Sequence, residues 1–191
     1  MESAYYHTPE SVAEYIKMAE GFNGQELIDQ LQVHLPPGSQ VLELGTGPGT
    51  DWQILSKAYT VTGSDLSAEF LKHLQTTHPK GHFLELDAAT LETNQTFDGI
   101  YSNKVLHHLQ DEALQQSISR QAHVLNPKGI LCHSFWKGEG SEVFKGMYVN
   151  YHQGEELAEV FGQHFDILAL KAYAEFEEND SFLLIARKLD S

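Results

Sequence analysis

The stretch VLELGTGPGT, Val41–Thr50, decides the reading of the fold. A short hydrophobic run meets the acidic Glu43, and glycines follow at positions 45, 47 and 49. Glycine has no Cβ, so a main chain built this way lets something lie close against it. Read outward, SQVLELG is a strand, the glycines are a loop and DWQILSKAY after them is a helix. A loop that leaves a first parallel strand sits at the carboxyl edge of the sheet, where such sheets bind ligands.

The pattern then repeats. TVTGSD, GHFLELD, FDGIYSN and ILCHSFW read as further strands, with helices SAEFLKHLQTTH, opened by Ser67, and DEALQQSISRQAHVL, capped by Asp111, among them. Asn126-Pro127-Lys128-Gly129 reads as a turn before the fifth strand. After the helix QGEELAEVFGQH come two long strands, FDILALKAYAEF and SFLLIARKL, separated only by EEND. Four residues cannot hold a helical crossover, so these two strands pair antiparallel. The expected fold is α/β, a doubly wound, mostly parallel seven-stranded sheet with an antiparallel C-terminal strand. No linker or repeat divides the 191 residues, which read as one domain. Residues 1–37 form an N-terminal helical cap on it, with a helix start at Thr8-Pro9-Glu10. About 136–152 form a lid segment.

Two ligands compete for the glycine loop. A dinucleotide fingerprint needs a third glycine at position 50, which is Thr50, and Pro48 intrudes. The alternative is a ligand without a pyrophosphate but with cationic groups, for which Glu43 supplies negative charge. Asp65 closes the second strand and Asp87 the third, each followed by a small or apolar neighbour, Leu66 and Ala88.

Glu43-Leu44-Gly45-Thr46-Gly47-Pro48-Gly49 is a full match to E-x-G-x-G-x-G and resembles the first motif of the class I S-adenosylmethionine-dependent methyltransferases. GSDLS, LELDAATL, FDGIYSNKVLHHL and LNPKGILCHSFW resemble the family's later motifs in order, over roughly residues 39–188. The resemblance implies a Rossmann-like methyltransferase fold of the small-molecule type. S-adenosylmethionine would be the cofactor, S-adenosylhomocysteine the product, and no metal would be needed. It further implies that Glu43, Gly45, Thr46, Gly47, Gly49 and Ser102 hold the cofactor. Asp65 would bind the ribose hydroxyls, Leu66 would pack on the adenine, and Asp87 with Ala88 would meet the adenine edge.

The acceptor is expected beyond the fourth strand, near Tyr101, Ser102, Asn103 and Lys104. Candidate walls are Tyr5, Tyr6 and Tyr15 from the N-terminal cap, and Trp136, Tyr148 and Tyr151 from the lid segment. His133, Trp136 and His107 are the candidates for a catalytic role. His107 and His108 are adjacent, so at most one faces the site, and a structural role suits either better. His133 lies across the fifth strand from Cys132, which reads as a buried inert thiol. Asp98 starts a strand and reads as structural. No histidine and carboxylate spacing suggests a metal site.

Twelve basic against 27 acidic side chains give a formal net charge of −15. Such a surface repels phosphate backbones and anionic membranes, so nucleic acid is an unexpected partner. The start MESAYYHTPE lacks a signal-peptide pattern and no apolar run reaches membrane-spanning length. The expectation is a cytoplasmic monomer or homodimer acting on a small-molecule methyl acceptor. Protein or RNA as acceptor, a non-catalytic cofactor-binding module and a nicotinamide oxidoreductase stand as alternatives, the last opposed by Thr50 and the terminal hairpin.

Overall fold

Helix α1 (Pro9–Met18) begins where the sequence provides a start. The Thr8 hydroxyl accepts from the Ser11 backbone N–H, Ser11 answers with a reciprocal contact, and Pro9 occupies the first turn. The computed structural model describes Tyr6 and residues 8–190. Tyr5 lies outside them. Helix α2 (Gln25–His34) buries Leu27, Ile28 and Leu31. The alternating part follows as β1 (Gln40–Leu44), α3 (Thr50–Leu55), β2 (Thr60–Asp65), α4 (Ala68–Thr77), β3 (His82–Glu85) and β4 (Phe97–Asn103). Next are α5 (Asp111–Val124), β5 (Leu125–Trp136), a hairpin of β6 (Ser141–Phe144) and β7 (Met147–Asn150), α6 (Gly154–Gly162), β8 (Phe165–Tyr173) and β9 (Ser181–Lys188).

Seven strands form one sheet in the order β3-β2-β1-β4-β5-β9-β8. The pairs from β3 across to β5 are parallel, while β9 runs antiparallel to both β5 and β8. Reversed β9 therefore slots between two strands of common direction, as the short EEND connection requires. The strand order turns around at β1, flanked by β2 and β4, and this opens a crevice at the carboxyl ends. Alternation on β5 divides two cores. Leu131 and Phe135 join Leu114, Ile118, Leu157 and Phe161 on the face covered by α5 and α6. Ile130 and Cys132 join Leu27, Ile28, Leu31 and Leu55 on the face covered by α2 and α3. Burial pushes the Cys132 thiol up, which keeps it protonated and inert.

Local chemistry corrects four sequence readings. Residues 126–129 stay within β5, where Lys128 takes φ 62° and the register against β4 shifts between Phe97 and Gly99. Asp98 explains this: its carboxylate accepts from the Gln40 backbone N–H and the Asn126 amide, tying the strand starts together. Asp111 makes no cap; Gln110 precedes the helix, and Asp111 Oδ1 accepts from Asn150 Nδ2 at 2.8 Å. Residues within the expected lid pair as a β-hairpin, whose tip places Lys145 3.4 Å from Glu14 of α1. Strand β8 ends at Tyr173, before Phe176. There the Asp180 carboxylate accepts the backbone N–H groups of Glu175, Phe176 and Glu177 and folds 174–180 into a tight loop.

One buried carboxylate fastens the N-terminal helices to the sheet. Asp51 Oδ1 accepts from the Gly24 backbone N–H at 2.7 Å, and Oδ2 accepts from Tyr101 Oη at 2.7 Å and Asn103 Nδ2 at 3.1 Å. A Cβ on Gly24 would fall 2.0 Å from Tyr101 Oη, so no other residue fits there. Asp51→Ala strands three donors in a buried place, and its expected cost is about 3 kcal/mol in urea denaturation. A loss under about 1 kcal/mol would show that these helices are held by apolar packing alone.

Candidate active site

The glycine loop owes its composition to two different demands. Gly45, Gly47 and Gly49 all take positive φ, at 63°, 51° and 87°. A Cβ at Gly45 would lie 2.5 Å from Val105 Cγ2, and one at Gly49 2.6 Å from Leu74 Cδ2. Those two glycines are required by the protein's own packing. At Gly47 the nearest atoms, Gly45 O and Tyr15 Cε1, are 3.9 Å away, so the bare backbone faces open room under α1. The loop is sewn to β2: Thr46 N donates to Ser64 O, Ser64 N donates to Thr46 Oγ1, and the Ser64 hydroxyl donates to Glu43 O. Asp65 accepts from the backbone N–H groups of Gly47 and Ser67, both at 2.9 Å. The loop is thus tied to β2 by both its backbone and its side chains.

Glu43 is 3% exposed, and its Oε2 has no hydrogen-bond partner. Burial first, then the Asp51 carboxylate and more weakly Asp65, push the Glu43 carboxyl well above its usual range, with the Thr46 hydroxyl opposing. A buried carboxylate oxygen left open beside bare backbone is a place for a cationic donor. Beyond it lies a cleft of about 290 Å³. Glu43, Gly45, Thr46 and Asp51 form its floor, Asn103, Lys104 and Trp136 one wall, and Tyr15, Met18 and Phe22 the roof, with Glu175 and Phe176 closing the side.

The cleft brings together Glu43, Gly45, Thr46, Tyr15, Asn103 and Trp136 from the residues expected on sequence. Tyr6 backs it, with its ring 5.3 Å from Tyr15 and 5.6 Å from Phe70. Leu66 is 43% exposed beyond Asp65, and Asp87 Oδ1 accepts from the Ala89 backbone N–H at 2.7 Å. Ala88 is half-buried, its carbonyl accepting from the Ser117 hydroxyl.

Other candidates are turned elsewhere. His133 is fully buried on the α5 face, with Nδ1 paired to Ser102 Oγ and Nε2 to Gln121 Oε1, both at 2.8 Å. Both ring nitrogens are used, burial lowers its pKa to about 3, and it has no path to the cleft. The same contact commits the Ser102 hydroxyl away from the cleft. His107 is buried behind Trp136, its pKa lowered by burial, then by His108, Lys104 and His152, and it does not line the cleft. Neither Tyr148 nor Tyr151 lines the cleft: the Tyr148 backbone carbonyl pairs with His108 Nδ1, and the Tyr151 hydroxyl donates to Glu142 Oε1. No group of three or more histidine, cysteine or acidic side chains among the described residues could hold a metal ion. None of their helices is long and apolar enough to cross a membrane.

Sequence reasoning placed Lys104 near the acceptor but missed Asp51, Phe22, Glu175 and Phe176. Lys104 takes φ 55°, its backbone N–H donates to Ser134 Oγ, and its Nζ donates to Phe135 O at 3.2 Å and Ser181 Oγ at 2.6 Å. The ammonium stands 3.8 Å from the Trp136 ring centre, and Phe176 stacks on Trp136 at 5.7 Å. Phe176 also meets Phe22 edge to face at 5.3 Å. An exposed phenylalanine inside the acidic run EFEEND was the available signal.

Residues 41–129 match a family described as methyltransferase domain. Trans-aconitate 2-methyltransferase of Variovorax paradoxus is 33% identical over 111 residues, which are 56% of this chain and 41% of that protein. The matches take in about half the length, or less, of the first curated relatives. The Burkholderia thailandensis 1,6-didemethyltoxoflavin-N1-methyltransferase, solved with 1,6-didemethyltoxoflavin and S-adenosylhomocysteine, superposes with a TM-score of 0.79 at 22% identity, over 95% of this chain and 85% of that one. The [4+2]-cyclase SpnF has the same fold, with a TM-score of 0.71 at 17% identity over 87% of this chain and 81% of that one. Over residues 41–129 the chain is thus similar to a methyltransferase domain, and it shares the fold of these solved enzymes.

Two outcomes test the site as built. Gly47→Ala is expected to cost only the left-handed backbone penalty of about 1–2 kcal/mol, whereas Gly49→Ala adds overlap with Leu74 and costs more. Equal losses in denaturant titrations would contradict the open room at Gly47. Burial pushes Lys104 down to about 8, against the pull of Glu175 and Asp180. In the unfolded chain a lysine titrates near about 10.4. Between those values the unfolded state holds the extra proton, so the Lys104 contribution to stability rises with pH. The stability of the native chain relative to Lys104→Met should therefore grow from about pH 8 to about pH 10, and a flat difference would refute the shift.

Proposed function

We propose that the protein transfers the methyl group of S-adenosylmethionine to a small-molecule acceptor. The observation that carries this is the unpartnered, buried Glu43 Oε2 beside the open backbone of Gly47, at the carboxyl edge where β1 and β4 separate. These features fit a ligand with a cationic amino-acid end lying flat against the loop. When bound, S-adenosylmethionine supplies an already activated methyl group, and S-adenosylhomocysteine is left as product.

The chain's own residues do the rest. Glu43 accepts the ammonium, and the added positive charge returns its carboxyl to the ionised form. Gly45, Thr46, Gly47 and Gly49 give the main-chain cradle, and Ser102 enters this group only through its backbone. Asp65, its carboxylate oriented by the backbone N–H groups of Gly47 and Ser67, takes the ribose hydroxyls. Leu66, Asp87 and Ala88 receive the adenine. Asn103 and Trp136 border the acceptor, with Tyr15 above. Tyr6 and residues 8–37, the described part of the expected N-terminal segment, act as the cap over this cleft. Catalysis rests on alignment and exclusion of water, which the aromatic walls supply without a dedicated base. Both the trans-aconitate and the 1,6-didemethyltoxoflavin enzymes are named for small acceptors, which supports that size class here. Cytoplasmic action suits a chain whose single cysteine is buried.

Calorimetry should show S-adenosylmethionine and S-adenosylhomocysteine binding, with no binding of NAD. Gly47→Val should abolish it, and Asp65→Ala should lower affinity by about tenfold to a hundredfold, the value of a charge-assisted hydrogen bond or two. Trp136→Ala should leave cofactor affinity within several-fold yet reduce methyl transfer at least about tenfold, because the acceptor wall is lost. Unchanged transfer in Trp136→Ala would remove that wall from the reaction, and binding of NAD alone would end the methyltransferase reading.

A further inference from the structure

The charge of the acceptor cleft says which acceptors it can take. Three carboxylates line it, Glu43, Asp51 and Glu175, against one ammonium, that of Lys104, among the described residues. Lys104 is not available to an anion. Its donors go to Phe135 O and Ser181 Oγ, and the Trp136 ring covers it at 3.8 Å. Glu175 Oε2 accepts from Tyr173 Oη at 2.9 Å and stays 3.8 Å from the Lys104 ammonium, so it is only loosely neutralised. Glu43 also lines the space, but in the reading above its carboxylate meets the cofactor's ammonium, so Asp51 and Glu175 are the carboxylates left beside the acceptor. A bound sulfonium offsets one of these negative charges and leaves the cleft with an excess.

The walls are as selective as the charge. The Trp136 ring is engaged by the Lys104 ammonium at 3.8 Å and by the stacked Phe176 ring at 5.7 Å. Phe22 and Phe176 are exposed at the mouth, and they offer flat apolar surface with electron-rich faces. Such surface suits a planar ring, and a cationic one gains further attraction.

We propose that the acceptor is a planar nitrogen base, neutral or cationic, and that the cleft rejects carboxylate acceptors; this rests on the methyl-transfer reading above. The acceptor nitrogen contributes the lone pair that forms the new N–C bond. The C–S bond breaks with its electron pair left on sulfur, and a nitrogen that carried a hydrogen then sheds it as a proton to water. An acid such as trans-aconitate, the acceptor named for one relative, meets the excess of carboxylates and no free cation.

The test compares two probes of one shape, quinolin-4-amine and quinoline-4-carboxylate, by calorimetry on protein saturated with S-adenosylhomocysteine. The amine should bind at least about tenfold more tightly, a preference that shrinks in high salt. Glu175→Gln, which keeps an acceptor for Tyr173, should reduce the preference several-fold, and its folding is checked by urea titration. Equal or tighter binding of the carboxylate, no binding of either probe, or a preference unmoved in folded Glu175→Gln would overturn the proposal. Should that variant not fold, the native ratio and its salt dependence decide alone. If S-adenosylhomocysteine itself does not bind, the methyl-transfer reading fails and this one falls with it. If it binds and the quinoline ratio is reversed, only the acceptor class is wrong.

Discussion

The structure of the cleft depends on the hydrogen bonds made by Asp51. This carboxylate sits in the first turn of α3, directly after the glycine loop, and reaches three separate elements at once. Through Gly24 it holds the entry to α2, through Tyr101 the centre of β4, and through Asn103 the end of β4. The Asn103 side chain passes the constraint on, since its Oδ1 accepts from Ser134 Oγ, which in turn accepts from the Lys104 backbone N–H. One continuous chain of polar contacts therefore runs from the N-terminal cap to β5 across the cleft floor. Such a network is stable only when each member is satisfied, so the cap, the loop and the acceptor wall keep one mutual geometry.

Much of the fold could be read from residue order because the relevant forces are local. Alternating strands and helices, Ser67 as a cap and a four-residue terminal connection leave few topologies. The glycine loop was legible for the same reason: its spacing is a backbone property. Even there the sequence could not divide the labour among Gly45, Gly47 and Gly49. The side chains that exclude a Cβ at two of them, Val105 and Leu74, come from 60 and 25 residues downstream and meet the loop only in three dimensions.

The acceptor half of the cleft was legible only in part, and the reason is physical. Tyr148 and Tyr151 looked like walls because aromatic residues after a fifth strand often cover a site. Neither lines the cleft: Tyr148 is held in the β6–β7 pairing, and the Tyr151 hydroxyl is taken by Glu142. The residues that do close the side, Glu175 and Phe176, belong to a loop whose shape is set by Asp180. Burial alone would raise the Asp180 carboxyl, yet the backbone N–H groups of Glu175, Glu177 and Phe176 and the Ser181 hydroxyl hold it well below the usual range. Nothing in the order of EFEEND announces that convergence. His133 misled for a related reason, since a histidine near the carboxyl edge of β5 faces either the cleft or α5. Pairing with Ser102 and Gln121 decides for α5.

The likeness to a cyclase as well as to methyltransferases shows how the two halves of the cleft differ. A shared fold supplies the edge where a ligand can lie, but the reaction is chosen by what stands opposite it. In this chain the opposing wall is built around an unusual choice, a lysine at φ 55°. A non-glycine residue in that region costs free energy, so the conformation persists only because its surroundings fix it. The return is directional. With its backbone turned this way, Lys104 sends its ammonium beneath Trp136 toward Phe135 and Ser181, and neutralises β-strand ends that would otherwise crowd carbonyls and acids together. The one cation of the cleft is thereby spent on architecture. What remains beside it in the described lining is aromatic surface and the carboxylates of Asp51 and Glu175, and the proposed preference for a nitrogen base rests on that subtraction.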